Sequence, residues 1–349
     1  MKTILVTGGL GFIGSHTCIE LIEYGYNVLI IDCLFNSKEY IYGDILKIIN
    51  TNPKKKYGEI YLRKGDLRNK SWLENLFVEF EESGNQIDSV IHCAGLKAVD
   101  ESVTNPLKYW DWNITASLNL LLVMEKHKCF NLVFSSSATV YGANEEIKLK
   151  ESSQKSPLNP YGNTKLTIEI MLSDLYKSSP TNWRIALLRY FNPAGSHESG
   201  LIGENPNFTP KNLFPLIVKT AMNKKSTLSI FGNNWPTKDG TCIRDFIHIT
   251  DLANAHLATL NLLISNKPQI ISLNIGTGKG YSVLEVVETF KRVNNVSLPY
   301  IFKERRKGDN YYAVANNELA LSLLRWVPLK TLEDICRDTW NFAKKSNQF

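Results

Sequence analysis

Short apolar runs alternate with helix-spaced stretches through the first half of the chain. Thr3 to Thr7, Asn27 to Ile31, Glu59 to Arg63, Ile87 to His92, Asn131 to Phe134 and Arg184 to Arg189 read as strands. Between them fall helical patterns: Ser15 to about Tyr24, Ser71 to Glu82, one containing Asn113 to Lys126, and one starting at Tyr161. Asn159-Pro160 precedes that last helix, and proline suits a first turn. Ser71 with Glu74 three residues on has the form of a capping box. Strands alternating with helices predict an α/β fold, a Rossmann-type doubly wound parallel sheet with ligands at the carboxyl ends of its strands.

From about residue 194 the pattern changes to longer polar loops carrying Pro206, Pro210 and Pro236. A helix is expected from Leu213 to Asn223, a hairpin-like stretch from Leu228 to Gly240, a strand from Ile271 to Ile275 and a helix from Ser282. The division implied is a Rossmann domain over 1–193 and a smaller mixed α/β substrate domain over 194–349, which the pattern leaves free to be discontinuous.

Composition adds limits. A length of 349 residues with 43% hydrophobic content suits one large or two ordinary globular domains. The net charge of +6 is small, and Lys54 to Lys56 and Lys303 to Lys307 read as solvated loops rather than a nucleic-acid surface. No apolar run approaches the roughly 18 residues of a membrane span, and Thr3 to Thr7 is too short for a signal peptide core. The six cysteines (Cys18, Cys33, Cys93, Cys129, Cys242, Cys336) are scattered, with no Cys-x-x-Cys and no histidine at metal-ligand spacing. That suits reduced thiols in a cytoplasmic protein with no metal and no membrane partner.

The candidate chemistry sits at the strand ends. After the first strand come Gly8, Gly9, Gly11 and Gly14, and then a helix. Glycines let a backbone approach a pyrophosphate, and a helix N-terminus offers free amides to it. Asp32 ends the second strand eighteen residues past Gly14, where a carboxylate accepts ribose hydroxyls and repels a 2'-phosphate, favouring NAD over NADP. Asn36 follows in the same loop, and Asp66 and Leu67 follow the third strand, where the Asp meets adenine. Small residues after the fourth strand, Cys93, Ala94 and Gly95, let the second half of a dinucleotide lie against the sheet. Ser137 closes a triple serine after the fifth strand, a stretch that alone reads equally as a turn. Tyr161 and Lys165 lie four apart, so phenol and ammonium share one helix face. A phenol titrating near ~10 becomes a base at neutral pH only if cations stabilise its phenolate. Without the other signals the pair reads as an ordinary exposed helix contact.

Taken together these residues resemble the extended short-chain dehydrogenase/reductase family. The stretches that carry the resemblance are Thr7 to Thr17, His92 to Val99, Phe134 to Gly142, Tyr161 to Lys165, Leu188 to Pro193, Ile230 to Asn233, Asp239 to Thr241, Arg244 to His248 and Arg306 to Asp309. They span nearly the whole chain. The resemblance implies NAD held as a prosthetic group and reversible epimerisation at C4 of UDP-glucose and UDP-galactose, in galactose metabolism, through a transient 4-keto sugar. Tyr161 would take the C4 hydroxyl proton, with Lys165 stabilising the phenolate and Ser137 hydrogen-bonding the same oxygen.

The same carry-over gives Phe12, Ile13, Asp32, Asn36, Asp66, Leu67, Cys93, Lys97, Asn113 and Phe191 to NAD. To the UDP-sugar it gives Asn192, Asn212, Leu213, Phe231, Arg244, Arg306 and Asp309. Ala138 and Thr139 stand where nucleotide-sugar 4,6-dehydratases carry an acid pair, which argues against water elimination. Ala313, four residues past Asp309, stands where some members have a bulky Tyr, so N-acetylated UDP-sugars are expected as substrates too. A slip of one residue in that count would put Tyr312 at the gate instead. A homodimer is implied through Pro106 to Lys126 and Tyr161 to Lys177. The alternatives are an enzyme working mainly on N-acetylated or uronic sugars, and a silent NAD-binding sensor, against which intact Ser137, Tyr161 and Lys165 argue.

Overall fold

Seven parallel strands form the central sheet of the computed structural model, which describes residues 1–51, 58–144, 146–207, 212–223, 226–306 and 310–346. In chain order they are β1 Thr3–Thr7, β2 Asn27–Asp32, β3 Ile60–Lys64, β4 Ile87–His92, β5 Asn131–Ser137, β6 Arg184–Tyr190 and β7 Gln269–Ile275. In space they run β7-β6-β5-β4-β1-β2-β3. The order reverses between β1 and β4, and the connections that leave their carboxyl ends part to opposite sides, so a crevice lies there. β1 and β2 are buried at every position, which is why they read as continuous apolar runs instead of alternating ones.

The principal helices are α1 Phe12–Tyr24, α2 Tyr40–Ile49, α3 Lys70–Glu82, α4 Ala116–Lys126, α5 Pro160–Ser178, α6 Leu213–Met222, α7 Ile249–Ser265, α8 Val283–Asn294 and α9 Leu332–Ser346. One face of the sheet buries Ile22, Ile45 and Leu252 from α1, α2 and α7. The opposite face buries Phe77, Leu120 and Leu172 from α3, α4 and α5. A separate core joins α6, α8 and α9 through Ile217, Phe290 and Ile335.

Four expectations change. The strand expected at 271–275 begins at Gln269 and pairs in parallel with β6, and α7, which the pattern did not reveal, covers it. Residues well past 194 thus complete the central sheet. The stretch from Leu228 is no hairpin: Leu228–Phe231 pairs in parallel with Tyr300–Lys303 from far along the chain. α3 is capped by Asn69, whose side chain accepts from the Trp72 amide at 3.1 Å, so Ser71 lies inside the helix and Glu74 is spent on Lys126. The serines 135–137 continue β5 instead of turning. Lys54 to Lys56 and Asp309 lie outside the described residues.

One buried ion pair ties α5 to the sheet. Arg189 at the end of β6 is 2% exposed and Glu169 on α5 is 4% exposed. The guanidinium meets the carboxylate twice, Nε to Oε1 at 2.9 Å and Nη2 to Oε2 at 2.7 Å, while Ser136 of β5 donates to Oε1 at 2.6 Å. Removing only one partner leaves a buried charge uncompensated. Glu169→Leu is therefore expected to lose roughly 3–5 kcal/mol in urea unfolding, and Glu169→Leu with Arg189→Met to recover most of it. Equal losses in the single and double variants would contradict this.

Candidate active site

The crevice begins at the glycine turn. Gly8, at φ +65°, donates its amide to the Ile31 carbonyl at 2.8 Å, and a Cβ there would lie 2.9 Å from the Ala94 backbone. A Cβ on Gly14 would come within 2.3 Å of the Gly8 carbonyl oxygen. Side chains at these positions would push the turn away from the sheet. Gly11 is the N-cap of α1, with no side-chain cap and no acid in the first turn. Phe12 and Ile13 therefore begin a helix whose positive end is left for a ligand.

Asp32, 7% exposed, ends β2 beside that turn. It accepts from Leu10 N at 3.0 Å, Leu34 N at 2.9 Å and Ser37 Oγ at 2.6 Å. Three of its roughly four acceptor positions are thereby used, leaving one for an outside hydroxyl. Asn36 follows and accepts from the Asn207 amide. Beyond β3, Asp66 is held below the usual carboxylate range by its bond to Arg68. The Arg68 guanidinium in turn lies 3.9 Å from the Trp112 ring centre, and Leu67 beneath is buried. Glycine cradle, free helix amides and a ribose-side carboxylate together fit NAD.

At the end of β4 the neutral His92, pushed down to about 3 by burial, bonds Thr7 through Nδ1 and Ser117 through Nε2. Thr7 also accepts from the Ala94 amide, so β1 and β4 are tied at their ends. Gly95 sits at φ +157°, where a Cβ would press on Asn113 Oδ1 at 3.2 Å. Asn113 lies in a π-helical turn, Trp110–Thr115. It accepts from Leu96 N at 2.8 Å and donates to Leu96 O and to Thr164 Oγ1 at 3.0 Å. The residue expected to touch NAD thus also fastens this loop to α5. The Cys93 thiol, between Ser135 and Lys165, is pushed up to about 11 by burial.

The three catalytic candidates meet where β5 and α5 converge. Asn159 caps α5 by accepting from Gly162 N at 2.9 Å, and Pro160 opens the helix. Lys165, 5% exposed, donates from Nζ to the Ser135 carbonyl at 2.7 Å, with Nζ 5.9 Å from the Tyr161 ring centre. Burial lowers its ammonium to about 8. Burial raises the Tyr161 phenol, and the neighbouring Ser137 hydroxyl opposes that only in part. The lysine is aimed at a carbonyl, so a low phenol pKa needs a further cation.

Thr139, which the sequence marks only by the absence of an acid, is a partner of Ser137. Its amide and hydroxyl both donate to Ser137 Oγ, at 3.2 and 3.0 Å. Those bonds occupy both lone pairs of Ser137 and leave its own hydrogen for Tyr161 or a substrate oxygen. Glu169 was also missed; it lies four residues beyond Lys165 on the same face of α5, and its charge favours the ammonium.

The substrate-side candidates are spread along the facing wall. Phe191 packs with Val140, Tyr141, Leu149 and Ala315, joining the Ser137 loop to the strand Tyr312–Ala313. Asn192 N donates to Asp245 O at 3.0 Å. Phe231 lies under the Arg306 guanidinium, 4.9 Å from ring centre to carbon. It borders an open cleft of about 880 Å³ lined also by Gly232, Phe302, Lys303 and Arg305. Ala313 pairs directly with Arg244, whose Nη1 turns back to the Ile243 carbonyl at 2.9 Å. Asn212 is the N-cap of α6, yet its side chain bonds Glu204 and Leu213 begins an uncapped helix. Lys97 reaches the same Glu204.

The NAD dependent epimerase/dehydratase family model matches residues 4–276. The chain is 47% identical over 339 residues to UDP-glucose 4-epimerase of Dictyostelium discoideum, covering 97% of this chain and 95% of that protein. Its structure matches that of UDP-glucose-4-epimerase from Stenotrophomonas maltophila with bound NAD and formylated UDP-arabinopyranose, at TM-score 0.93 and 40% identity over 100% and 99% of the two chains. It also matches the UDP-glucose 4-epimerase of Bifidobacterium longum in complex with NAD+ and UDP, at TM-score 0.91 and 40% identity over 100% of both.

Burying Lys165 has a measurable cost. Its folded value of about 8 lies below the ordinary 10.5, so between these values the unfolded chain binds more protons. The cost is full below pH 8, at about 3 kcal/mol, and vanishes above 10.5. Losing the bond to Ser135 offsets about 1 kcal/mol of the gain from removing the charge. Lys165→Met is thus expected to unfold at higher urea than the parent at pH 7, with the gap closing by pH 10. A gap independent of pH would contradict this.

Proposed function

This chain belongs to the NAD dependent epimerase/dehydratase family, and from that membership and the geometry of Ser137, Tyr161 and Lys165 we infer its reaction. It epimerises C4 of UDP-glucose and UDP-galactose reversibly, with NAD as cofactor. The observation that carries the epimerase reading over dehydration is Thr139, which spends its hydroxyl on Ser137 where a dehydratase needs an acid.

NAD, held by the glycine turn, Asp32 and the loop after β4, would supply the hydride acceptor and donor for C4. Every other task falls to side chains. Tyr161 holds the proton of the C4 hydroxyl. Ser137, organised by Thr139, donates to that oxygen and steadies the charge that develops on it. Lys165, kept in place by Ser135 and biased toward its charged form by Glu169, stabilises the phenolate. Affinity resides in the UDP half, because a tightly gripped sugar could not present both faces. Phe231 and Arg306 suit a uracil face and a phosphate, and Arg244 and the uncapped start of α6 suit the diphosphate.

Ala313 is the residue we assign to the sugar gate. It pairs with Arg244, and two residues on, Ala315 packs with the Ser137 loop, while the Tyr312 hydroxyl lies toward Gly280. A methyl there admits an N-acetyl group, so UDP-N-acetylglucosamine and UDP-N-acetylgalactosamine are substrates too. The division of labour is an NAD unit built on 1–193 and a UDP-sugar unit drawn from 194–349, interrupted where α7 and β7 return to the sheet. The protein works in the cytoplasm as a homodimer. Supporting the dimer, Leu107, Leu118 and Leu122 on one helical stretch and Ile170 on α5 are exposed, Leu107 at 81%. Among the described residues no helix is long and apolar enough to cross a membrane.

The test is turnover by purified protein without added NAD, on UDP-galactose and on UDP-N-acetylgalactosamine. Both are expected to react. Tyr161→Phe should lower kcat on both by about 10³-fold, within the usual span of a lost acid-base group, without changing NAD content. Ala313→Tyr should abolish turnover of the N-acetyl sugar alone. Inertness toward both sugars would sink the reading, and an Ala313→Tyr variant that still accepts both would sink the gate.

A further inference from the structure

Glu204 belongs to no catalytic or cofactor motif, yet it sits between the two ligand sites. Its side chain is only 10% exposed. A single oxygen, Oε1, accepts from Lys97 Nζ at 2.8 Å and from Asn212 Nδ2 at 2.6 Å. Lys97 follows β4 and lies against Phe12 of the glycine turn, 5.8 Å from the ring centre. Asn212 caps α6 only by its backbone, since its side chain is committed to Glu204. Three residues on, Asn207 donates its amide to Asn36 at 3.0 Å and its side chain to the carbonyls of Phe35 and Ser37. Residues 204–207 thus form a strap from the loop after β2, past the loop after β4, to the start of α6.

We propose that Glu204 is a positioning residue that couples cofactor binding to UDP-sugar binding, acting through Lys97 on one side and Asn212 on the other. The proposal rests on the functional reading above. Lys97 and Asn212 share one carboxylate oxygen, so Lys97 cannot shift toward or away from a dinucleotide without disturbing the oxygen that also orients Asn212. Each ligand settles one arm of the bridge, and the second then binds to a strap already ordered. Such a coupling is reciprocal: UDP must tighten NAD by the same factor that NAD tightens UDP.

The experiment uses the NAD-loaded protein and isotopically labelled NAD, following exchange of the bound cofactor by mass spectrometry with and without saturating UDP. In the parent, UDP is expected to slow exchange by about tenfold, in the ordinary range for linked sites. In Glu204→Gln, which keeps the side chain's size and removes its charge, the slowing should fall below about twofold, and the KM for UDP-galactose should rise more than kcat falls. Lys97→Met serves as the second variant, with the same loss expected even if Glu204→Gln folds poorly. A parent whose exchange ignores UDP overturns the proposal. So does a variant with a lowered melting temperature and an intact UDP effect. Failure of the underlying function would appear separately, as no epimerisation by the parent.

Discussion

A lysine ammonium held out of water organises this active site. Lys165 is almost wholly buried, and its charge survives because the Ser135 carbonyl accepts from Nζ and the Glu169 carboxylate lies one helical turn away. Glu169 is itself tolerated only because Arg189 takes both of its oxygens. The chain of dependence therefore runs from the end of β6 through α5 to the catalytic face. Burial that lowers the lysine also raises the Tyr161 phenol, so the two groups do not form a self-sufficient base. The protein supplies a strained electrostatic arrangement that the positive nicotinamide ring completes. Base strength is thereby made conditional on the cofactor being in place.

The scaffold explains why these groups meet. β4 and β1 lie side by side at the reversal of strand order, their ends pinned by Thr7 and His92. β5 continues through its serines, bringing Ser135 to the lysine and Ser137 to the tyrosine. Asn113 ties the loop after β4 to Thr164, so α5 is positioned from the cofactor side as well as from the sheet. The facing wall is built on short strands whose partners come from distant parts of the chain, such as Ala313 beside Arg244.

What could be read from sequence was whatever depends on local spacing. β1, the glycine turn and Asp32 follow one another within 32 residues, and their order alone carries the chemistry. Tyr161 and Lys165 share a helix face by their spacing. What escaped was long-range. β7 pairs with a strand some eighty residues earlier, and no local pattern distinguishes it from the strands of the outer region. Asn69 displaced Ser71 as the cap of α3 because both residue types suit that position and the turn before the helix decides between them. Thr139, Glu169, Arg189 and Glu204 are ordinary polar residues until the fold sets each beside its partner. Burial, which the sequence does not show, raises the Tyr161 phenol in the polypeptide alone.

The central claim is that the polypeptide alone holds the Tyr161 phenol above its ordinary value, and that only the cofactor's positive ring brings it down. The direct measurement is a phenolate absorbance titration of NAD-loaded and NAD-stripped protein, each taken as a difference against Tyr161→Phe. In the stripped protein the difference band is expected only above the ordinary tyrosine value of about 10, and in the loaded protein at distinctly lower pH. A band at the same pH in both forms would contradict the account, since Tyr161 would then owe its acidity to the polypeptide alone.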